Sequence, residues 1–394
     1  MNRRNGLFTL DFYGSFFLKN AIPPIYESID YTHNNKPFYE KPEKNSQEKE
    51  SLVYYNKLFP KYINPTKISD DYKLKKLEQS KLDGFGINIT GTDSIETYLT
   101  NNIKPSSRSP IKRKIKRLEL CFKIRSEFYF GKNLSKETFN NVIPELKRLL
   151  ERRFAQRNDR NEALENWDNY VSETYQRIRN KEAMLYVMYA NDTVIGISLN
   201  FSIKAILIGH IIAYDIDYAK FGLGNTIVYK ILEWCIANNY SILDMGNGEM
   251  EYKSIWCNAI YQYDYHFVYK KKSLPAYIIA YIQIVKMKFK NFLKVIKFDL
   301  VFKTIKNKIQ GRKPPVYAVA QQFKLEKIPP DTKVPEKSVK LDFFHADTNH
   351  IRKWIVDFVF LSKESLEYIG VYKLSESHFL IKGRNNAGQI TLEH

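Results

Sequence analysis

Two glycines placed two residues apart, just ahead of a helix-spaced apolar stripe, give the chain its clearest chemical signal. Residues 205–214 read as a strand, Lys220-Phe221-Gly222-Leu223-Gly224-Asn225 follows, and Ile227, Val228, Ile231, Leu232, Cys235 and Ile236 then recur at helical spacing. A strand that passes through glycines into a helix leaves backbone N–H groups at the positive end of the helix dipole. The missing Cβ atoms at Gly222 and Gly224 let a pyrophosphate come close to them. A plain tight turn gives the same spacing. The third glycine and the downstream acid of the dinucleotide fingerprint are absent, which argues against NAD.

The groups able to move protons or hold charge lie close by in sequence. A second strand, residues 240–245, brings Asp244 to its end, and Gly246-Asn247-Gly248-Glu249-Met250-Glu251-Tyr252-Lys253 follows as a glycine-punctuated loop. Glu249 on that loop is the first candidate for a general base, with Asp244 and His210 behind it. Lys253 suits a phosphate or a substrate carboxylate. Each has a structural alternative: a solvated loop Glu, an Asp accepting loop N–H bonds, a His packed between Ile208 and Ile212, and a surface Lys.

The order of these residues resembles the GNAT acyltransferase superfamily. The matching pieces are Tyr214-Asp215-x-x-Tyr218-Ala219-x-Phe221-x-x-Gly224, the helix ending Trp234-Cys235, Asp244-Met245-Gly246, and Glu249-x-x-Tyr252-Lys253-x-x-Trp256. Upstream, Tyr98-Leu99, Ser107-Arg108 and the basic run Ile111-Lys112-Arg113-Lys114-Ile115-Lys116-Arg117-Leu118-Glu119 make the chain similar to the CelD-like acetyltransferases and the Fem-type peptidoglycan aminoacyl-transferases. The resemblance covers about residues 95 to 270. It implies an α+β fold: a mixed, mainly antiparallel sheet flanked by helices, in a tandem GNAT arrangement with a C-terminal helical or α+β extension. It implies an acyl-CoA-dependent N- or O-acyltransferase, acetyl-CoA or another acyl-CoA being the donor and no metal taking part. The acceptor is a sugar, an amino sugar or a cell-envelope precursor in polysaccharide biosynthesis. Catalytic roles fall to Glu249, Asp244 and His210, donor contacts to Tyr214, Phe221, Gly222, Leu223, Gly224, Asn225 and Thr226, and acceptor contacts to Tyr252, Lys253 and Trp256. Phe221-Gly222-Leu223-Gly224-Asn225 departs from the superfamily's usual pyrophosphate loop, which opens with Gln or Arg and holds more glycine. Two alternatives therefore stand: a Fem-type transferase using aminoacyl-tRNA, and a non-catalytic GNAT-like module that docks on a membrane or partner.

Composition sets the outer limits. The chain has 394 residues, and 62 Lys and Arg against 43 Asp and Glu give a net charge of +19, which draws polyanions without choosing among nucleic acid, anionic lipid and phosphorylated substrates. A compositional bias of the source accounts for the same excess. Cys121, Cys235 and Cys257 lack CxxC spacing, which points to a reducing cytosol rather than a disulfide framework or structural zinc. His345, Asp347 and His350 lack further ligands, so metal is not expected. No run approaches the ~20 apolar residues of a membrane span. A cytoplasmic location follows, peripheral to the inner membrane if the charged helix below binds lipid.

The elements that must position these groups read as follows. Residues 7–13 and 16–18 form an opening strand, residues 30–50 a surface loop, and residues 51–82 a Tyr- and Lys-rich region with helical parts. Residues 85–90 and 122–130 alternate as strands. Ser94 and Ser135 start helices, the second kinked or restarted at Pro144, and Ala190-Asn191-Asp192-Thr193 turns a hairpin. Residues 275–311 are helix-patterned, with Ile278, Ile282, Val285, Phe289, Phe292 and Ile296 on one face and eight lysines against one acid. Packing on the protein's own core, an anionic membrane surface and a partner groove all suit that pattern. The division expected is 1–105 as an N-terminal α+β region and degenerate GNAT half, 106–272 as the acyltransferase domain, 273–391 as the helix and extension, and 392–394 as a tag remnant.

Overall fold

A computed structural model describes residues 2–17, 22–32, 36–41, 51–157, 162–165, 167–248, 250–296 and 323–392. They form two compact units that interleave along the chain: Met1–Gly91, Phe201–Ile208 and Asn239–Lys313 in the first, Thr92–Asn200, Gly209–Asn238 and Pro314–His394 in the second. Strands dominate the N-terminal part: β1 (Asn2–Arg4), β2 (Leu7–Asp11), β3 (Tyr26–Tyr31), β4 (Pro37–Glu40), β5 (Val53–Pro60), β6 (Ile63–Ile68) and β7 (Tyr72–Asn88). Then come α1 (Ile95–Asn102), α2 (Pro105–Cys121), β8 (Ile124–Tyr129), α3 (Lys136–Arg157), α4 (Glu162–Glu165), α5 (Trp167–Arg179), β9 (Ala183–Ala190), β10 (Thr193–Ile203), β11 (Ile206–Tyr214) and α6 (Leu223–Ala237). The rest is β12 (Ile242–Asn247), α7 (Glu251–Trp256), β13 (Ala259–Lys270), α8 (Leu274–Val295), β14 (Phe323–Ile328), β15 (Val339–Leu341), α9 (Arg352–Ser362), β16 (Gly370–Ser375), β17 (His378–Lys382) and β18 (Ala387–Leu392).

In the first unit the sheet order is β1-β2-β5-β13-β7-β12, with residues 206–208 of β11 beside β12 and a small sheet β4-β3-β6 apart. The parallel register of β11 on β12 runs from Ile206↔Ile242 to Ile208↔Asp244 and ends there. The helical character expected for residues 51–82 is overturned. Lys, Leu, Glu and Gln favour helix by only a few tenths of a kcal/mol each, while β7 pairs with β13 from Tyr72↔Lys270 to Gly86↔Ala259 and buries Tyr72 and Gln79 against it. Residues 13–17 form a helical turn instead of continuing a strand, because that places Phe12 and Phe16 on one side, where both are buried. They pack on Phe59 and Phe38 respectively. Within residues 30–50, Phe38 is buried on β4, which pairs with β3, so part of the expected loop is sheet.

In the second unit β9 is buried at every position, matching its unbroken apolar sequence. Its hairpin to β10 turns at Asn191 and Asp192, both left-handed at φ 49° and 71°. Helix α3 continues through Pro144 without restarting. The C-terminal sheet, in the order β14-β18-β17-β16-β15, joins α9 in this unit. Among the described residues no helix is long and apolar enough to cross a membrane.

Candidate functional site

The glycine turn between β11 and α6 is built as the residue types require. Gly222 is the N-cap of α6 in the left-handed region, φ 69° and ψ 44°, a conformation that costs a glycine nothing. Its carbonyl accepts from the N–H groups of Asn225 and Thr226 at 3.0 and 3.3 Å, closing the first turn. Phe221 and Leu223 are buried; Phe221 meets Phe122 and Phe360 at ring-centroid distances of 5.5 and 5.0 Å. Of the expected donor contacts these two therefore present backbone alone, their side chains anchoring the turn from beneath. Thr226 is buried too, and its hydroxyl lies 3.5 Å from the Gly222 carbonyl.

A cation from another helix completes this turn. A Cβ placed on Gly222 would lie 3.1 Å from Cδ of Lys114 and 3.7 Å from its Nζ, so the ammonium of α2 sits over the glycine. The other cations of the basic run divide between structure and solvent. Ile111, Ile115 and Leu118 are buried as expected, Lys112 pairs with Glu96, and Arg117 donates to the Phe360 carbonyl at 2.6 Å. Arg113 and Lys116 are exposed.

Helix α3 fixes the strand end that leads into the turn. Arg152 donates to Asp215 at 2.8 Å and to both carboxylate oxygens of Asp217 at 2.9 and 3.0 Å, while the Asp217 N–H caps back onto Asp215. Two buried carboxylates sharing one guanidinium make this pin costly to break. Arg153 donates to the Ile212 carbonyl at 2.6 Å and lies 4.4 Å over the Tyr214 ring. Tyr214 in turn closes on Gly224, whose added Cβ would stand 3.2 Å from the tyrosine's Cε1. His210 lies on β11 in the same unit, and burial pushes its imidazole down to about 4, so it is neutral at pH 7.

The first unit holds a separate polar cluster around Asp244. Its fully buried carboxylate accepts from Tyr62 Oη, Tyr261 Oη and the Gly246 N–H, each at 2.7 Å. Tyr261 continues to Tyr263, the hydroxyls 3.1 Å apart, and Tyr13 faces the same carboxylate. Burial holds Asp244 above the usual carboxylate range, against the pull of its hydrogen bonds. Burial first, and the Asp244 charge second, hold the phenols of Tyr62 and Tyr261 well above 10. Gly84 makes this packing possible, since a Cβ there would come 2.3 Å from the Tyr261 ring.

The remaining candidates serve the loop after Asp244. Lys253 is buried, not a surface group; it donates to the carbonyls of Asn247 and Gly246 at 2.7 and 3.4 Å, and burial lowers its pKa. Trp256 is a core residue at 1% exposure, and Tyr252 is half-buried. Glu249 lies outside the described residues. Among the described residues no group of three or more His, Cys, Asp or Glu is placed to hold a metal. Sequence reasoning missed Tyr62, Tyr261 and Gly84, and placed Lys114 in the basic run without its position at the Gly222 turn. Only Gly84 carried a local signal, a glycine inside a strand pattern, which marks close approach of a neighbouring group.

Comparison with known proteins finds matches over part of the chain. Residues 105–254 match a family model described as an acetyltransferase (GNAT) domain. No curated protein matches the chain. Among solved structures, FemX has 9% identity over 59% of this chain and 75% of its own, with a TM-score of 0.40. L-PGS from Bacillus licheniformis has 10% identity over 60% and 72%, with a TM-score of 0.35. A tandem GNAT protein from the clavulanic acid biosynthesis pathway has 10% identity over 56% and 65%, with a TM-score of 0.29.

Proposed function

Because residues 105–254 belong to the acetyltransferase (GNAT) domain family, we propose that the chain is an acyl-CoA-dependent N- or O-acyltransferase, acetyl-CoA being the first donor to try. The turn at Gly222 with Lys114 over it is the observation that carries this reading: a left-handed glycine opens a helix N-terminus, and the Lys114 side chain lies over that glycine. The backbone N–H groups of Leu223 and Gly224, with Lys114, would hold the donor's pyrophosphate, those of Gly222, Asn225 and Thr226 already donating to the carbonyls of Ala219 and Gly222. The acceptor's amine or hydroxyl then forms the new bond to the acyl carbon, the C–S bond breaks, the CoA sulfur leaves, and the acceptor's proton passes to a base. Glu249 is the base proposed. Asp244 is a positioning residue that holds the phenols of Tyr62 and Tyr261. A sugar, amino sugar or cell-envelope precursor as acceptor rests on the resemblance to the CelD-like and Fem-type groups.

Exposed Arg113 and Lys116, with the net charge of +19, favour a second reading in which the donor is an aminoacyl-tRNA. Lys114→Ala separates the two. Under the acyl-CoA reading it weakens CoA binding about tenfold, the loss of one charge-assisted contact, and leaves RNA binding at low salt unchanged. CoA affinity within twofold of wild type in a folded Lys114→Ala protein removes Lys114 from the donor site.

A further inference from the structure

Helix α8 meets the first unit through one face. Ala276, Ala280 and Met287 are buried against β5, β7 and β13, the small alanines letting the helix approach closely. Buried Asn291 donates to the Glu78 carbonyl at 2.7 Å and accepts from the Ser80 N–H at 3.2 Å. These bonds fix the rotation of the helix about its axis, and 3.6 residues per turn then decide what points the other way. Tyr277, Ile278, Tyr281, Ile282, Phe289 and Phe292 do so, each between 48% and 60% exposed. Leu274 and Val295 extend the stripe to both ends of the helix at 71% and 55%.

A continuous apolar surface along all 22 residues of a helix is far larger than the scattered apolar exposure of ordinary surfaces. The residues around it decide what covers it. Between Leu274 and Ile296 there is no acid, while Lys286, Lys288 and Lys290 are exposed beside the stripe, and Lys271 and Lys272 stand at the N-terminal end. A groove in a partner takes anchors over about two turns, whereas this stripe is about six turns long and flanked by cations. Tyr277 and Tyr281 stack on each other near one end with ring centroids 6.2 Å apart, an amphipathic pair suited to a headgroup layer. We propose that α8 lies in the plane of an anionic lipid bilayer, with the apolar stripe in the headgroup and acyl boundary and Lys286, Lys288 and Lys290 on lipid phosphates. This docking stands apart from the donor reading and survives its failure.

Flotation of the full chain with large vesicles tests it, comparing phosphatidylcholine alone with phosphatidylcholine containing phosphatidylglycerol. Wild type is expected to partition at least about tenfold better onto the anionic vesicles. Ile282→Ser with Phe289→Ser, both at exposed positions, should cut that partition at least about tenfold with an unchanged melting temperature. Lys286→Glu with Lys290→Glu should erase the preference for anionic lipid. Equal binding of wild type and the serine variant overturns the proposal. So does a wild-type dimer that the serine variant converts to monomer, because the stripe would then be an interface between copies.

Discussion

Gly224→Val is expected to abolish measurable CoA binding, a loss of at least about a hundredfold, while the melting temperature stays within about 4 °C of wild type. The position is helical, where valine is a slightly better helix former than glycine, so the cost to the fold is confined to the Tyr214 ring giving way by a few tenths of an ångström. The donor loses more. The new Cβ would enter at 3.2 Å from the Tyr214 ring, over which the Arg153 guanidinium also lies at 4.4 Å. The valine methyls would cover N–H groups that a pyrophosphate must reach within hydrogen-bond distance. A folded variant that binds CoA as wild type does would show that the turn is only a connection between β11 and α6.

Asp244→Asn is expected to lower turnover by about 10²-fold with the donor's affinity unchanged. The carboxylate accepts from two phenols at once, and an amide nitrogen facing one of them must donate instead, so that phenol turns its proton elsewhere. Proton transfer at the reacting group is typically worth about 10²- to 10⁴-fold in rate, and a residue that only positions the groups around it is expected at the lower end of that range. The variant also reads out the buried charge. Asp244 has its folded pKa raised above the unfolded value, so its contribution to stability is present at pH below the usual carboxyl range, about 3.9, and is lost as pH rises through the raised folded value. The stability of wild type minus that of Asp244→Asn should therefore fall with rising pH, measured by urea unfolding across that window. A difference that rises with pH would mean that the phenols hold the carboxylate ionised more strongly than burial opposes it.

Which parts of this site can be read from sequence follows from how local each signal is. The turn at Gly222 is legible because the constraint is local: glycine at a left-handed cap, then apolar residues three and four apart. Lys114 is not legible, since the periodicity of α2 separates buried from exposed positions but does not say which exposed lysine meets a glycine more than a hundred residues later. The cluster at Asp244 is likewise assembled by sheet order, which brings Tyr62 from beyond β5 and Tyr261 from β13. Charged residues are the hardest to read. Lys and Glu in β7 suggested helix where pairing with β13 decides, and Lys253, which suits a phosphate or carboxylate with a surface lysine as the alternative, is buried on loop carbonyls. The interleaving of two units leaves no mark in composition, because both draw strands from the continuous run of residues 193–214.

Calorimetric titration of acetyl-CoA into the wild-type chain, with bulk tRNA titrated in parallel at low salt, decides which donor the Gly222 turn takes. One saturable site is expected for acetyl-CoA, with an affinity in the micromolar range and competed by CoA. Absence of acetyl-CoA binding, together with tRNA binding that weakens steeply as salt is raised, would contradict it and hand the site to the aminoacyl donor.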